Sequence, residues 1–126
     1  MNDEDFHKTQ IALFRHFSER LDSLSTAADG AFLAALAEQF REQAETPATL
    51  LDEGPMLVAR MLTVAPQLAE HFPRDLLWYL GGQCLHFMPD EEIELLGDLD
   101  EQRRAAAAEG RNFDWGAARA RILQLQ

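Results

Sequence analysis

The sequence is poor in lysine, in cysteine and in β-branched aliphatic residues. Of its 126 residues one is lysine and one is cysteine, and isoleucine and valine together contribute five. A single cysteine cannot form an internal disulfide bond, which is typical of a reducing compartment. The scarcity of β-branched residues, against nineteen alanines and nineteen leucines, favours helix over strand. We therefore expect a cytoplasmic, all-α protein.

Positive charge and long apolar runs are also scarce. The 22 acidic residues exceed the 11 basic ones, for a formal net charge of −11. Such a chain repels phosphate backbones, so we expect no nucleic-acid partner. The longest nearly apolar segment, about residues 76–88, is too short to cross a bilayer and is interrupted by glycine, glutamine and histidine. The N-terminal MNDEDFHK lacks the features of a secretory signal, and we expect no membrane partner.

Helical periodicity and breaker residues predict a single helical domain over residues 1–126. Apolar side chains recur at intervals of three and four, and prolines and glycines mark the ends of the segments. Gly54–Pro55 is expected to end or kink a short helix that begins at Thr46–Pro47. The result is a compact bundle of five to six short helices, at about residues 3–24, 29–44, 55–64, 74–87 and 90–109, with a last one after Asn112 or Asp114.

The segment at about residues 74–87 is predicted to be the buried central helix, because apolar residues surround it almost completely. Gly81–Gly82 then falls in mid-helix and costs about 1 kcal/mol per glycine relative to alanine. Close helix packing or a kink is the preferred explanation, and space for a ligand against bare backbone is the other.

Cys84 and His86 are the two groups of this segment that could react or bind a metal. Residues two apart on a regular helix point about 200° away from each other, so these two cannot chelate together. Cys84 is interpreted as a small buried hydrophobe. The sequence has no Gly-x-Ser-x-Gly, His-Glu-x-x-His or paired-cysteine motif. We predict no catalytic residue, no cofactor and no metal site.

An acidic segment follows, with eight acids and two arginines from Pro89 to Glu109. Most such runs are solvated surface, but an acidic helix can also bind a protein partner with a basic surface. Aromatic residues and unexplained glycines precede this segment directly. We therefore predict a functional surface at the exit of the central helix, formed by Trp78, Tyr79, Gly81, Gly82, His86, Asp90 and Glu91.

Two functions remain open from the sequence. The first is a small non-catalytic protein–protein interaction or adaptor module, with a homodimer formed through an apolar face as a further expectation. The alternative is a helical domain, conceivably an enzyme, that binds a small ligand or a metal in a pocket at the Gly81–Gly82, Cys84 and His86 turn. That alternative predicts that Gly82→Leu abolishes ligand binding at little cost to folding.

Overall fold

Helices account for nearly all of residues 3–24 and 30–124, the part of the chain that the computed structural model describes. These ranges contain three 3-10 helices, Pro47–Thr49, Pro66–His71 and Gly82–Phe87, and no strand. The α-helices are α1 (Asp3–Leu24), α2 (Gly30–Glu45), α3 (Leu50–Val64), α4 (Arg74–Leu80), α5 (Asp90–Ala108) and α6 (Trp115–Gln124). The all-α prediction is confirmed, and the start predicted for α2 at residue 29 lies outside the described residues.

Contacts between Cα atoms divide the chain into two compact units. The central unit is Gln10–Met88, and the terminal unit combines Met1–Thr9 with Pro89–Gln126. Helix α1 thus contributes its residues up to Thr9 to the terminal unit and the remainder to the central unit. The single domain over residues 1–126 stays a prediction.

Phenylalanines from distant parts of the sequence form the core of the central unit. The ring of Phe14 on α1 stacks on that of Phe40 on α2, with 5.2 Å between centroids. The ring of Phe17 lies edge-on to that of Phe72 at 4.8 Å. All four side chains are at most 2% exposed. The hydroxyl of Ser18, also buried, donates to the Phe40 carbonyl at 3.1 Å, so this core fixes α1 against α2.

The sequence predicts that Gly54–Pro55 ends or kinks a helix; α3 continues through both residues, so an end at this point is wrong. Pro55 lacks the amide hydrogen that would bond to the Leu51 carbonyl, which costs the helix one hydrogen bond. Gly54 has a packing role instead. A Cβ at this position would lie 3.0 Å from Leu50 Cδ1 and 3.3 Å from Leu80 Cδ2, so glycine permits the close approach of α3 and α4. The burial gained by that approach offsets the lost hydrogen bond.

The helix predicted over residues 74–87 is in fact two helices. Helix α4 ends at Leu80, and a 3-10 helix begins at Gly82. Gly81 has φ 66° and ψ −152°, and Gly82 has φ 52°, values that favour glycine because a Cβ would clash with the backbone. The two glycines form the break, so they do not carry a mid-helix penalty. Since Trp78 and Tyr79 are only half-buried, α4 is not enclosed on all sides.

The terminal unit joins the start of α1 to α5 and α6. Phe6 on α1 is buried, and its ring centroid lies 4.7 Å from that of Trp115 on α6. Asp114 caps α6, since its Oδ1 accepts a hydrogen bond from the Ala117 amide at 3.0 Å. The start predicted for α5 after Pro89 is confirmed, and of the two starts predicted for α6, after Asn112 or after Asp114, the structure has the second. Both depend on signals within a few residues, a proline and a capping carboxylate.

Candidate functional site

Five residues of the predicted functional surface lie at the exit of α4. Trp78 and Tyr79 are half-buried on α4, and burial raises the pKa of the Tyr79 phenol. Gly81 is half-buried where the helix ends, and Gly82 and His86 are exposed in the 3-10 helix that follows. The structure therefore keeps these five residues in one part of the central unit. Their function stays a prediction.

The bare backbone at Gly82 packs near α3. A Cβ on Gly82 would lie 3.7 Å from Pro55 Cβ, an ordinary van der Waals distance. The positive φ of Gly82 nevertheless strains any L side chain placed there. The expectation that Gly82→Leu costs little in folding is therefore wrong, and this variant cannot isolate ligand binding from stability.

Cys84 packs inside the central unit, whereas His86 is exposed. The thiol is fully buried and donates a weak hydrogen bond to the Pro55 carbonyl, with 3.6 Å between Sγ and O. The different exposure of the two side chains prevents them from acting on one ligand. Within residues 3–24 and 30–124, no group of three or more histidine, cysteine or acidic side chains could hold a metal ion.

Cys84 should be unreactive in the folded protein. Burial raises the pKa of its thiol from 9.0 to about 12, and the thiolate is the nucleophilic form. At about pH 8 a thiol reagent should label the unfolded chain much faster than the native protein. Because the folded state keeps the proton to higher pH, the free energy of unfolding should fall as pH rises from 9.0 towards about 12.

Reagent labelling with and without urea, followed by urea titrations across this pH range, measures both effects. Cys84→Ala should reduce the fall in stability, and a remainder should persist because the pKa of Tyr79 is raised as well. Rapid labelling of the native protein near pH 8 would contradict the prediction.

Asp90 and Glu91, the other two predicted surface residues, lie exposed in the first turn of α5, in the terminal unit. They begin a row of exposed carboxylates at helical spacing. With 3.6 residues per turn, the members of this row share one side of the helix. Gly97 lies on the same side, and a Cβ there would meet no atom within 4 Å. This α5 acidic face consists of Asp90, Glu91, Glu94, Asp98 and Glu101.

The opposite side of α5 buries an ion pair. The guanidinium of Arg103 bonds to Asp100 Oδ1 through Nε at 2.9 Å and Nη2 at 2.8 Å, and both side chains are about 95% buried. Arg104, mostly exposed, binds Oδ2 of the same carboxylate at 2.9 Å. The Arg103 guanidinium also lies 4.3 Å from the centroid of the Phe6 ring, a cation–π geometry. The buried Asp100 carboxylate is thus paired at both oxygens by arginines of its own helix, which is typical of a structural role.

A cleft of about 470 Å³ opens in the central unit between the end of α2, the 3-10 helix Pro47–Thr49 and α3. Its volume is in the range of small-ligand sites. The charged groups of this α2–α3 cleft are Glu42, Glu53 and Arg60, and its lining includes Gln43, which is 6% exposed, and Met56, which is 57% exposed. Buried amide, carboxylates and exposed thioether are thus brought together from two helices.

Neither the buried ion pair nor the cleft was predicted from the sequence. The three-residue spacing of Asp100 and Arg103 is visible, but it is also the ordinary spacing of surface pairs on a helix. The cleft depends on how α2 packs against α3, which no local pattern specifies. The sequence feature that could have indicated the cleft is Gln43, a polar residue on the face of α2 that also carries the buried Leu36 and Phe40.

These features define an all-α protein with a long acidic helix face and a polar cleft, and among the described residues no helix is long and apolar enough to cross a membrane. The chain belongs to the PA2817-like family, whose model matches residues 2–126. No curated protein and no solved structure gives a significant match.

Proposed function

We propose that this protein is a non-catalytic protein–protein interaction module that binds a partner with a basic surface through the α5 acidic face. The observation that carries the proposal is the alignment of five exposed carboxylates on one side of α5. Asp90 and Glu91 are favoured by the helix dipole, because they lie in the first turn. Glu94, Asp98 and Glu101 lie beyond that turn and repel one another at intervals of three and four residues.

A basic partner would offset this repulsion. Complementary charge accelerates the encounter and fixes the orientation of the complex. Gly97, Ala105 and Ala108 lie among these carboxylates on the same side of α5 and have small or no side chains, so a partner could approach the helix closely at these positions. The interaction would take place in the cytoplasm, where a buried, unpaired cysteine is stable.

The expected homodimer is a separate part of the proposal. Among the residues that the structure describes, the large apolar side chains that are exposed, and so available to an apolar interface, are Phe32, Leu51, Met56 and Val64. Native mass spectrometry of untagged protein would report a dimer mass if they form such an interface. A monomer mass at micromolar concentration would remove the dimer, and a bound small species that is lost on denaturation would favour the ligand-binding alternative.

Neutralising the α5 acidic face tests the main proposal. The variant Glu94→Gln/Asp98→Asn/Glu101→Gln keeps side-chain size and removes the repulsion within the helix, so it should fold at least as well as the wild type. In pull-downs from cell extract, we expect the wild-type protein to enrich a basic partner that the variant does not enrich. With that partner purified, we expect the affinity of the variant to be at least about tenfold lower than that of the wild type.

A matched control neutralises three exposed carboxylates of the central unit, Glu19→Gln/Glu38→Gln/Glu45→Gln. This control removes the same number of negative charges and should keep the partner. Raising the salt concentration should weaken the wild-type complex, since exposed charges are screened. An equal loss of partner binding in both triple variants would show that net charge alone is responsible for binding. Unchanged partner binding by the α5 variant would overturn the proposal.

A further inference from the structure

The α2–α3 cleft contains a buried amide with a defined orientation. Gln43 Nε2 lies 3.2 Å from the Thr46 carbonyl O and 3.1 Å from Thr49 Oγ1. A carbonyl can only accept, so the atom that faces it must be the amide nitrogen. Both hydrogens of that nitrogen are then donated within the chain. The carbonyl Oε1 of Gln43 is the group that remains to accept a hydrogen bond in the cleft.

Two carboxylates add to this acceptor. Glu53 lines the cleft, and its Oε2 lies 3.4 Å from Thr49 Oγ1, whose one hydrogen can be donated either to this carboxylate or to the Thr46 carbonyl at 3.2 Å. Glu42 contributes the second carboxylate, from the last turn of α2. That last turn has no basic residue, although the carbonyl end of a helix favours cations. Acceptors from α2 and α3 therefore line the same cleft, and the last turn of α2 supplies no cation to balance them.

A guanidinium already binds nearby at the same helix end. Arg15 on α1 donates to the Ala44 carbonyl, with 3.4 Å between Nη2 and O. On the α3 side of the cleft, the exposed Met56 and the half-buried Leu57 offer an apolar surface. Arg60, also on α3, is the cation of the lining, so the two carboxylates exceed it by one charge. A ligand with a cationic end and an aliphatic stem would match these groups.

We propose that the α2–α3 cleft binds the arginine side chain of a protein partner. The planar guanidinium has five N–H donors, enough to reach Gln43 Oε1, Glu42 and Glu53 together, whereas an ammonium has three. The aliphatic part of the side chain packs on Met56 and Leu57. The inference rests on the proposed function in one respect, that the arginine belongs to a protein partner.

A titration of ¹⁵N-labelled protein with Nα-acetyl-L-arginine amide tests this site without any partner. We expect saturable chemical-shift changes in the backbone amides of residues 42–60, with a millimolar dissociation constant. Nα-acetyl-L-citrulline amide, which has the same length and shape but no charge, should produce no saturable change. Equal binding of the citrulline derivative, or changes confined to other residues, would overturn the proposal. So would saturable binding of spermidine in the absence of arginine-amide binding, which would indicate a free polyamine.

Three variants separate ligand contact from a structural role. Glu42→Gln and Glu53→Gln should each weaken arginine-amide binding about two- to fivefold, as expected for a partly exposed charge pair. Arg60→Gln should strengthen it by a similar factor, because a repelling charge is removed. The control Glu19→Gln, an exposed carboxylate of α1, should change nothing. Weaker binding in Arg60→Gln would contradict the charge argument, since a merely structural contribution has no reason to change sign with charge.

The two proposals fail in different ways. Arginine-amide binding at the cleft together with no charge-dependent enrichment of a basic protein would refute the proposed function and support the chemistry of the site. Enrichment that depends on the α5 acidic face, with no arginine-amide binding, would refute the site and support the proposed function.

Discussion

Arg103→Ala is expected to lower the free energy of unfolding by about 3–5 kcal/mol, the cost of removing one partner from a buried ion pair. The side chain is 4% exposed and makes two hydrogen bonds to Asp100, so its loss leaves a buried carboxylate with half of its partners. It also leaves one face of the Phe6 ring without its cation. Urea unfolding followed by circular dichroism measures the change, and hydrogen exchange should increase in α5 and α6.

Arg104 provides a matched control on the same carboxylate. Its side chain is 69% exposed, and a surface ion pair contributes about 0–1 kcal/mol. Arg104→Ala should therefore have a small effect, and similar losses in the two variants would refute the argument from burial. The double variant Asp100→Leu/Arg103→Met should recover much of the stability, because apolar residues of similar volume often replace a buried ion pair without loss.

Gly81→Ala is expected to destabilise the protein by about 1–3 kcal/mol, the cost of holding a residue in a backbone conformation that is almost restricted to glycine. The φ of 66° and ψ of −152° at this position end α4 and direct the chain into the next 3-10 helix. The Gly81 amide also donates to the Leu77 carbonyl at 3.1 Å. The Gly81 carbonyl accepts a hydrogen bond from the amide of the buried Cys84 at 3.0 Å, so a change of backbone conformation at residue 81 should disturb this contact.

Gly97→Ala is the matched control for this substitution. Gly97 lies inside α5, its φ is not positive, and a Cβ there would meet no atom within 4 Å. Alanine should raise the free energy of unfolding by up to about 1 kcal/mol through its helix propensity. If thermal unfolding shows that Gly81→Ala lowers stability and Gly97→Ala raises it, the backbone conformation at Gly81 is the cause. Stabilisation by both substitutions would show that Gly81 sits in an ordinary helical conformation.

The two glycine positions show where sequence reasoning succeeded and where it failed. Gly97 was correctly placed inside a helix, because the carboxylates and leucines around it keep helical spacing. Gly81 was placed in mid-helix for the same reason, since apolar residues both precede and follow it in the segment predicted as one helix. The pattern reports which residues are apolar, but not the φ of a glycine between them. At Gly54 the error is the opposite, because an end or a kink is predicted where α3 continues and packs closely against Leu80.

The candidate sites divide in the same way. The acidic residues of α5 and their position on a helix follow from the sequence, since spacing at three and four residues places side chains on one face whatever the helix packs against. The sequence has an apolar stripe of Ile93, Leu96 and Leu99 on this helix; Leu96 and Leu99 are buried, and Ile93 is half-buried. The burial of Asp100 and Arg103 beside them depends on Phe6, more than ninety residues earlier in the chain.

The helical class, most of the helix ends and the charged face of α5 follow from the amino-acid sequence alone. Each of these depends on interactions within a few residues, namely propensity, capping and periodicity. The tertiary structure decided the break at Gly81, the continuity of α3, the buried ion pair and the α2–α3 cleft. These depend on side chains that are distant in the sequence, because burial and close approach are properties of packed elements.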